Sequence, residues 1–175
     1  MLRGRQPAAR ARRGWPADPP DPNRVTEPKP RPPAGLPHIG RPWRVAVREA
    51  SMRPAIEPGD WLLVDPTARR WPRRGSVVVI REPDSDVLAI KRVAAGPGDR
   101  VDLDEGHLVL GPDEAWLLSD ATDAELLAAG RGQPIDSRRY GPVPLEFLLG
   151  RAWFRYAPLR RVGRIARLRA GRADR

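Results

Sequence analysis

From Trp43 to Pro158 the apolar residues come in short runs, each cut off within a few positions by Pro, Gly, Asp or Ser, a rhythm of strands and turns that points to an all-β domain. Val45–Val47 reads as a first strand, and Trp61–Val64 as a second, entered from the turn Pro58-Gly59-Asp60. The unbroken run Val77–Ile80 after Ser76 has the character of a strand covered on both faces. Val87–Val93 follows, then the turn Gly96-Pro97-Gly98-Asp99. Val101–Leu103 and His107–Leu110 flank Asp104-Glu105-Gly106 as a hairpin, Trp116–Leu118 adds a short strand, and Phe147–Tyr156 closes the set. Residues 120–135 interrupt the rhythm: Ala124–Ala129 offers one or two helical turns on a surface loop bounded by Gly130, Gly132 and Pro134.

At 175 residues the chain is one domain's worth. Half of its 22 prolines fall in residues 1–42 without apolar periodicity, so that segment is expected to be disordered or polyproline-like. Residues 43–158 form the folded domain and 159–175 a basic tail. In the tail Leu159, Val162, Ile165 and Leu168 recur at about helical spacing among arginines. Such a segment fits a short helix packed on the domain or a contact with a membrane surface.

The net charge of +10 invites a nucleic-acid reading, but its placement argues against one. Residues 1–44 carry ten basic side chains against three acids, and residues 159–175 seven against one. The remaining stretch holds 15 basic and 18 acidic residues, so the positive excess lives at the ends and no specific nucleic-acid partner is expected. No window holds the ~20 apolar residues of a membrane span. The chain is therefore expected in the cytoplasm without a transmembrane anchor, with peripheral membrane contact of the basic ends as the alternative.

With no Cys and two His, a thiol nucleophile is excluded, a Ser/His/Asp triad would need His38 or His107, and no metal or other cofactor is expected. Most other nucleophilic machineries are thereby excluded, and Ser51 with Lys91 proposes a serine served by a lysine. A serine hydroxyl attacks only with a base in reach, and a lysine is a base only when neutral, a state that burial favours. Ser51 sits in a turn-rich stretch, Glu49 to Asp60. Strand alternation puts Lys91 in one row with Val87, Ala89 and Val93, where a charged amine is unfavourable. Either residue alone has an ordinary explanation, as a turn serine or as an edge-strand charge reaching water. However, the chain contains only two lysines and uses Arg elsewhere for surface charge, which singles out Lys91.

In order, Ser51-Met52-Arg53-Pro54, Pro58-Gly59-Asp60, Arg74-Gly75-Ser76-Val77-Val78-Val79, Ile90-Lys91-Arg92-Val93, Gly96-Pro97-Gly98-Asp99 and Asp136-Ser137-Arg138-Arg139-Tyr140-Gly141-Pro142-Val143 resemble the motif set of type I signal peptidases and their S26-family relatives. The resemblance covers about residues 43–158. It implies a mainly β, partly open barrel of short strands, related to that of the SOS repressors, and a serine endopeptidase acting on a protein precursor. Ser51 is then the nucleophile, its N–H one oxyanion donor, and Lys91 the general base. Asp136, Ser137 and Arg138 support the active-site wall, and Met52 and Pro54 touch substrate. Three positions depart from the pattern: Glu49 replaces a hydroxyl that supplies the second oxyanion donor, Pro134 replaces a serine that bonds the lysine, and Ser119-Asp120-Ala121 replaces Gly-Asp-Asn.

Without an apolar N-terminal span, the chain most resembles the soluble nickel-type superoxide dismutase maturation proteases, which remove a leader and expose a metal-binding amino terminus. The alternatives are a general signal peptidase I, an autocleaving SOS-repressor-type regulator cutting at Ala34-Gly35, and an inactive β module whose basic tails bind partners.

Overall fold

The computed structural model describes residues 40–167, apart from 84, 86, 129, 131, 133 and 134. The Pro-rich segment up to residue 39, with Ala34-Gly35, lies outside the described residues, as do Pro134 and the tail from 168 onward. Strands run β1 Trp43–Ala46, β2 Trp61–Asp65, β3 Val77–Arg81, β4 Leu88–Ala95, β5 Arg100–Leu103, β6 Gly106–Val109, β7 Glu114–Leu118, β8 Val143–Pro144, β9 Leu148–Ala157 and β10 Gly163–Arg164. Two short helices, α1 Asp123–Ala128 and α2 Ser137–Tyr140, precede β8.

The strands form an open antiparallel sheet in the order β1-β2-β9-β3-β4-β7-β8, and β10 pairs with β9. The hairpin β5-β6 stands apart, with Asp102 opposite His107 as its turn chemistry implies. The mainly β, partly open architecture expected from the sequence is thus present, with the barrel unclosed.

β3 is buried along its whole length because both faces are covered, as its apolar run requires. Val77 and Val79 point into one core cluster with Val47, Met52, Ile56, Leu62 and Val64. Val78 and Ile80 point into another with Ala89, Val93, Ala115, Leu117 and Val143.

Long β9 bridges the halves, pairing with β2 on one edge and β3 on the other. Gly150 opposes Val79 beside a register shift, and there β9 passes so close to β2 that a Cβ would lie 2.5 Å from the Asp65 carbonyl oxygen and 2.8 Å from Val64 Cγ1. Backbone cannot yield as a flexible side chain can. Gly150→Ala should therefore cost ~1–3 kcal/mol and lower the thermal midpoint by about 5 °C or more, measurable by circular dichroism.

Two local expectations need correction. Val87 precedes β4 and is 60% exposed, so the row that includes Lys91 begins at Ala89. Residues 159–164 form a 3-10 turn and β10 rather than an amphipathic helix, because Gly163 and Arg164 pair with Arg155 and Phe154 while Ile165 packs on the first core cluster. The segment at Ser137 is a helical turn, started by Asp136, whose side chain accepts from the Arg138 N–H.

Candidate active site

Ser51 is held by a turn anchored at both ends. The Arg53 N–H donates to the Ala50 carbonyl at 3.0 Å and the Ile56 N–H to the Met52 carbonyl at 2.9 Å, which turns Met52 and Ile56 inward to the core. Beyond the turn, Asp60 is 1% exposed and caps the Glu57 N–H at 2.9 Å. Arg155 of β9 donates to Asp60 Oδ2 at 2.9 Å and to the Ala55 carbonyl at 3.0 Å, and Arg161 bridges Glu57 and Asp60 at 2.8 and 3.3 Å. A buried carboxylate needs such partners. These ties make Arg155 a clamp on the serine turn.

Lys91 lies on β4 opposite Val78, flanked on its face by the buried Ala89 and Val93, and is itself 3% exposed. Burial pushes its pKa below the ordinary lysine value, against the upward pull of Glu82 and Asp136, with Arg138 adding to the depression and Glu49 opposing it. The Lys91 Nζ donates to Ser119 Oγ at 3.2 Å. The hydroxyl at the lysine thus comes from a position that sequence reading treated only as a departure from pattern. Its signal was present: a hydroxyl residue directly after the short strand expected at Trp116–Leu118.

The neighbouring Arg92 points elsewhere and is fully engaged. Its Nε and Nη2 reach Asp120 at 2.6 and 2.5 Å, and its Nη1 reaches the Gly75 and Ala166 carbonyls at 2.7 and 3.1 Å. Asp136 is fully buried and accepts from the Ser119 N–H at 3.0 Å and, through both oxygens, from Arg138 at 3.0 and 2.9 Å. Burial pushes its carboxyl up, but the bonds from Arg138 and Ser119 outweigh that and hold it below the ordinary carboxylate range. Arg138 is about half exposed, so the Asp136–Arg138 pair is buried on the Asp side alone. Ser137 Oγ accepts from the Leu117 N–H at 2.9 Å, fastening α2 to β7 and leaving this hydroxyl in the frame.

Ser51 and Lys91 line one cleft of about 620 Å³, together with Val45 and Val47 at the β1 end, Glu49, and Leu126 of α1. Among the described residues nothing accepts from the Ser51 N–H. Met52 lines the cleft while its side chain serves the core, and Pro54 is exposed outside the lining. The cleft walls are mainly apolar, which suits an uncharged peptide segment and keeps the amine dry. Such an arrangement can deliver a serine hydroxyl and a neutral amine to one peptide bond.

Comparison with known proteins places the chain in a family. The model of the family described as signal peptidase, peptidase S26, matches residues 42–115, a span that contains both Ser51 and Lys91. The chain is 31% identical over 140 residues to a probable signal peptidase I-2 of Synechocystis sp., covering 67% of this chain and 64% of that protein. It is 32% identical over 122 residues to mitochondrial inner membrane protease subunit 1 of Xenopus tropicalis, covering 65% and 68%. To thylakoidal processing peptidase 1, chloroplastic, of Arabidopsis thaliana it is 26% identical over 140 residues, covering 65% and 41%. The chain thus spans somewhat under two thirds of the first of these and well under half of the last.

These relatives overturn the cytoplasmic expectation, since their names place such enzymes at membranes. That expectation rested on a missing apolar run, which carries no information on compartment. Among the described residues no helix is long and apolar enough to cross a membrane. On the matched motifs and these relatives, the chain belongs to the signal peptidase family, peptidase S26, a family of serine endopeptidases.

Proposed function

We propose that this chain cuts a protein precursor behind an N-terminal leader, with Ser51 as nucleophile and Lys91 as general base. The observation that carries the reading is a lysine 3% exposed, with its pKa depressed chiefly by burial, lining the same cleft as a serine whose backbone N–H is unused among the described residues. An extended precursor lies along the β1 side of the cleft, where β1 is an edge strand of the sheet among the described residues.

Neutral Lys91 takes the Ser51 hydroxyl proton as Oγ bonds to the scissile carbonyl carbon, and the oxyanion is received by the Ser51 N–H. The C–N bond then breaks, and the leaving amine takes the proton from the Lys91 ammonium. Water attacks the resulting ester, passing a proton to Lys91; the acyl C–Oγ bond then breaks, Ser51 Oγ takes that proton from Lys91, and the new carboxyl end leaves. Asp136, held by Ser119 and Arg138, and Ser137, held to β7, frame this pair.

The finer reading is a leader-removing protease for a nickel-type superoxide dismutase precursor. A general signal peptidase acting on secreted precursors is favoured to the same degree by the resemblance to signal peptidase I. Incubating the purified chain with each precursor and mapping the new amino termini by mass spectrometry separates them. Cleavage of the dismutase precursor alone supports the first; cleavage of secretory precursors alone replaces it with the second; cleavage of neither in the presence of active control enzyme removes both.

A further inference from the structure

The segment that follows β7 touches both halves of the dyad at once. Ser119 Oγ accepts from Lys91 Nζ at 3.2 Å, Asp120 binds the adjacent Arg92 through two bonds of 2.6 and 2.5 Å, and the Ala121 N–H donates to the Ser51 carbonyl at 3.0 Å. The Ser119 N–H is in turn fixed on buried Asp136 at 3.0 Å. Three consecutive residues therefore set the base, the strand beside it and the backbone of the nucleophile.

Resting on the Ser/Lys reading, we infer that Ser119 is the positioning residue for the general base, orienting the Lys91 amine toward Ser51, with Asp120 and Ala121 holding the tripeptide in register between the two. A neutral amine has two N–H groups and one lone pair, and it rotates freely about its last C–N bond unless one N–H is engaged. Donation to Ser119 Oγ removes that freedom and leaves the lone pair for the Ser51 proton. A hydroxyl suits this task better than a carboxylate, because a negative charge at 3.2 Å would favour the ammonium and spoil the base. Asp120 does carry charge, but Arg92 neutralises it, with both side chains almost fully buried at 5% and 6% exposure. Asp136, the other nearby carboxylate, spends its oxygens on Arg138 and the Ser119 N–H, so it fixes the hydroxyl without bonding to the amine. The remaining charged groups that act on Lys91 are Glu82, Glu49 and Arg138.

The test is steady-state cleavage of a precursor peptide across pH by Ser119→Ala, Ser119→Thr and Ser119→Cys in the full chain, with thermal melts of each. Ser119→Ala should lower kcat by ~10–100-fold, the usual scale for a proton-transfer contribution, and leave KM within about twofold. Its rising pH limb should move to lower pH, because an acceptor that favours the ammonium has gone. Ser119→Thr should restore kcat to within about threefold of the parent, and Ser119→Cys, a weak acceptor, should fall between. A Ser119→Ala protein with parental kcat and pH limb overturns the role, as do equal losses in the Ala and Thr proteins at unchanged melting temperature. If Ser119→Ala does not fold, the order of the Thr and Cys proteins decides. Ser51→Ala run alongside separates the two levels: an inactive Ser51→Ala with a parental Ser119→Ala removes only the Ser119 role, whereas an active Ser51→Ala removes the dyad itself.

Discussion

Ser51→Ala should reduce kcat/KM on a cleaved precursor by about 10⁴-fold or more, equivalent to roughly 5.5 kcal/mol of transition-state stabilisation, while the fold stays intact. The contrast follows from where the serine's contacts lie. Its carbonyl accepts from the Ala121 N–H and its neighbours Met52 and Ile56 carry the packing, so replacing a half-buried hydroxyl by hydrogen should move stability by no more than about 0.5 kcal/mol. Peptide cleavage and denaturant melts on one preparation read both halves. An Ala variant that cleaves within tenfold of the parent would show that another group supplies the nucleophile.

Lys91→Met should abolish activity to the same degree and yet leave the protein as stable as the parent or more so at neutral pH. A buried ammonium costs desolvation free energy that a thioether of similar length does not. Because burial lowers the folded-state pKa of Lys91, the unfolded chain binds more protons between that lowered value and the ~10.4 of a free lysine. Parent stability therefore climbs as pH rises through this window, with the cost of the charge fully present below it. The Met variant lacks this climb, so the difference between the two proteins should shrink as pH rises. Denaturant midpoints of both proteins over this range check the sign. A Met variant that is destabilised by several kcal/mol at every pH would mean that the amine makes favourable bonds worth more than its desolvation.

How much of this was legible in one dimension depends on whether the information is local. β3 announced itself because a strand covered on both faces needs apolar residues at successive positions, and Val77–Ile80 provides them. The hairpin β5-β6 was readable from the turn residues Asp104-Glu105-Gly106, and α1 in outline as the turns expected over Ala124–Ala129, while the box in which Thr122 and Glu125 cap each other's backbone N–H groups is seen in the structure. Lys91 was readable from strand alternation with Ala89 and Val93, both buried as expected. By contrast, β10 depends on pairing with β9, a partner chosen in three dimensions, and so the arginine-rich stretch near Leu159 looked helical by spacing alone. The short β8 likewise exists through its pairing with β7.

The site divides along the same line. The serine turn carries its own signature of Pro, Gly and Asp, but its clamp by Arg155 spans 95 residues to Asp60 and has no periodicity to betray it. Ser119 is separated from Lys91 by 28 residues, and Asp136 reaches it only because α2 is capped and pinned to β7. Pairs of this kind are fixed by topology, and topology was inferred through resemblance rather than read from spacing.

The chain's two lysines, Lys29 and Lys91, permit a direct observation of the base. Labelling the lysine side-chain nitrogen with ¹⁵N gives two amine resonances, of which Lys91→Met removes one and so assigns it. The Lys91 resonance should titrate below the ordinary ~10.4 of a free lysine, at the pH where kcat/KM of the same preparation rises. Two resonances titrating together near the free-lysine value, with activity rising at a different pH, would contradict Lys91 as the general base of Ser51.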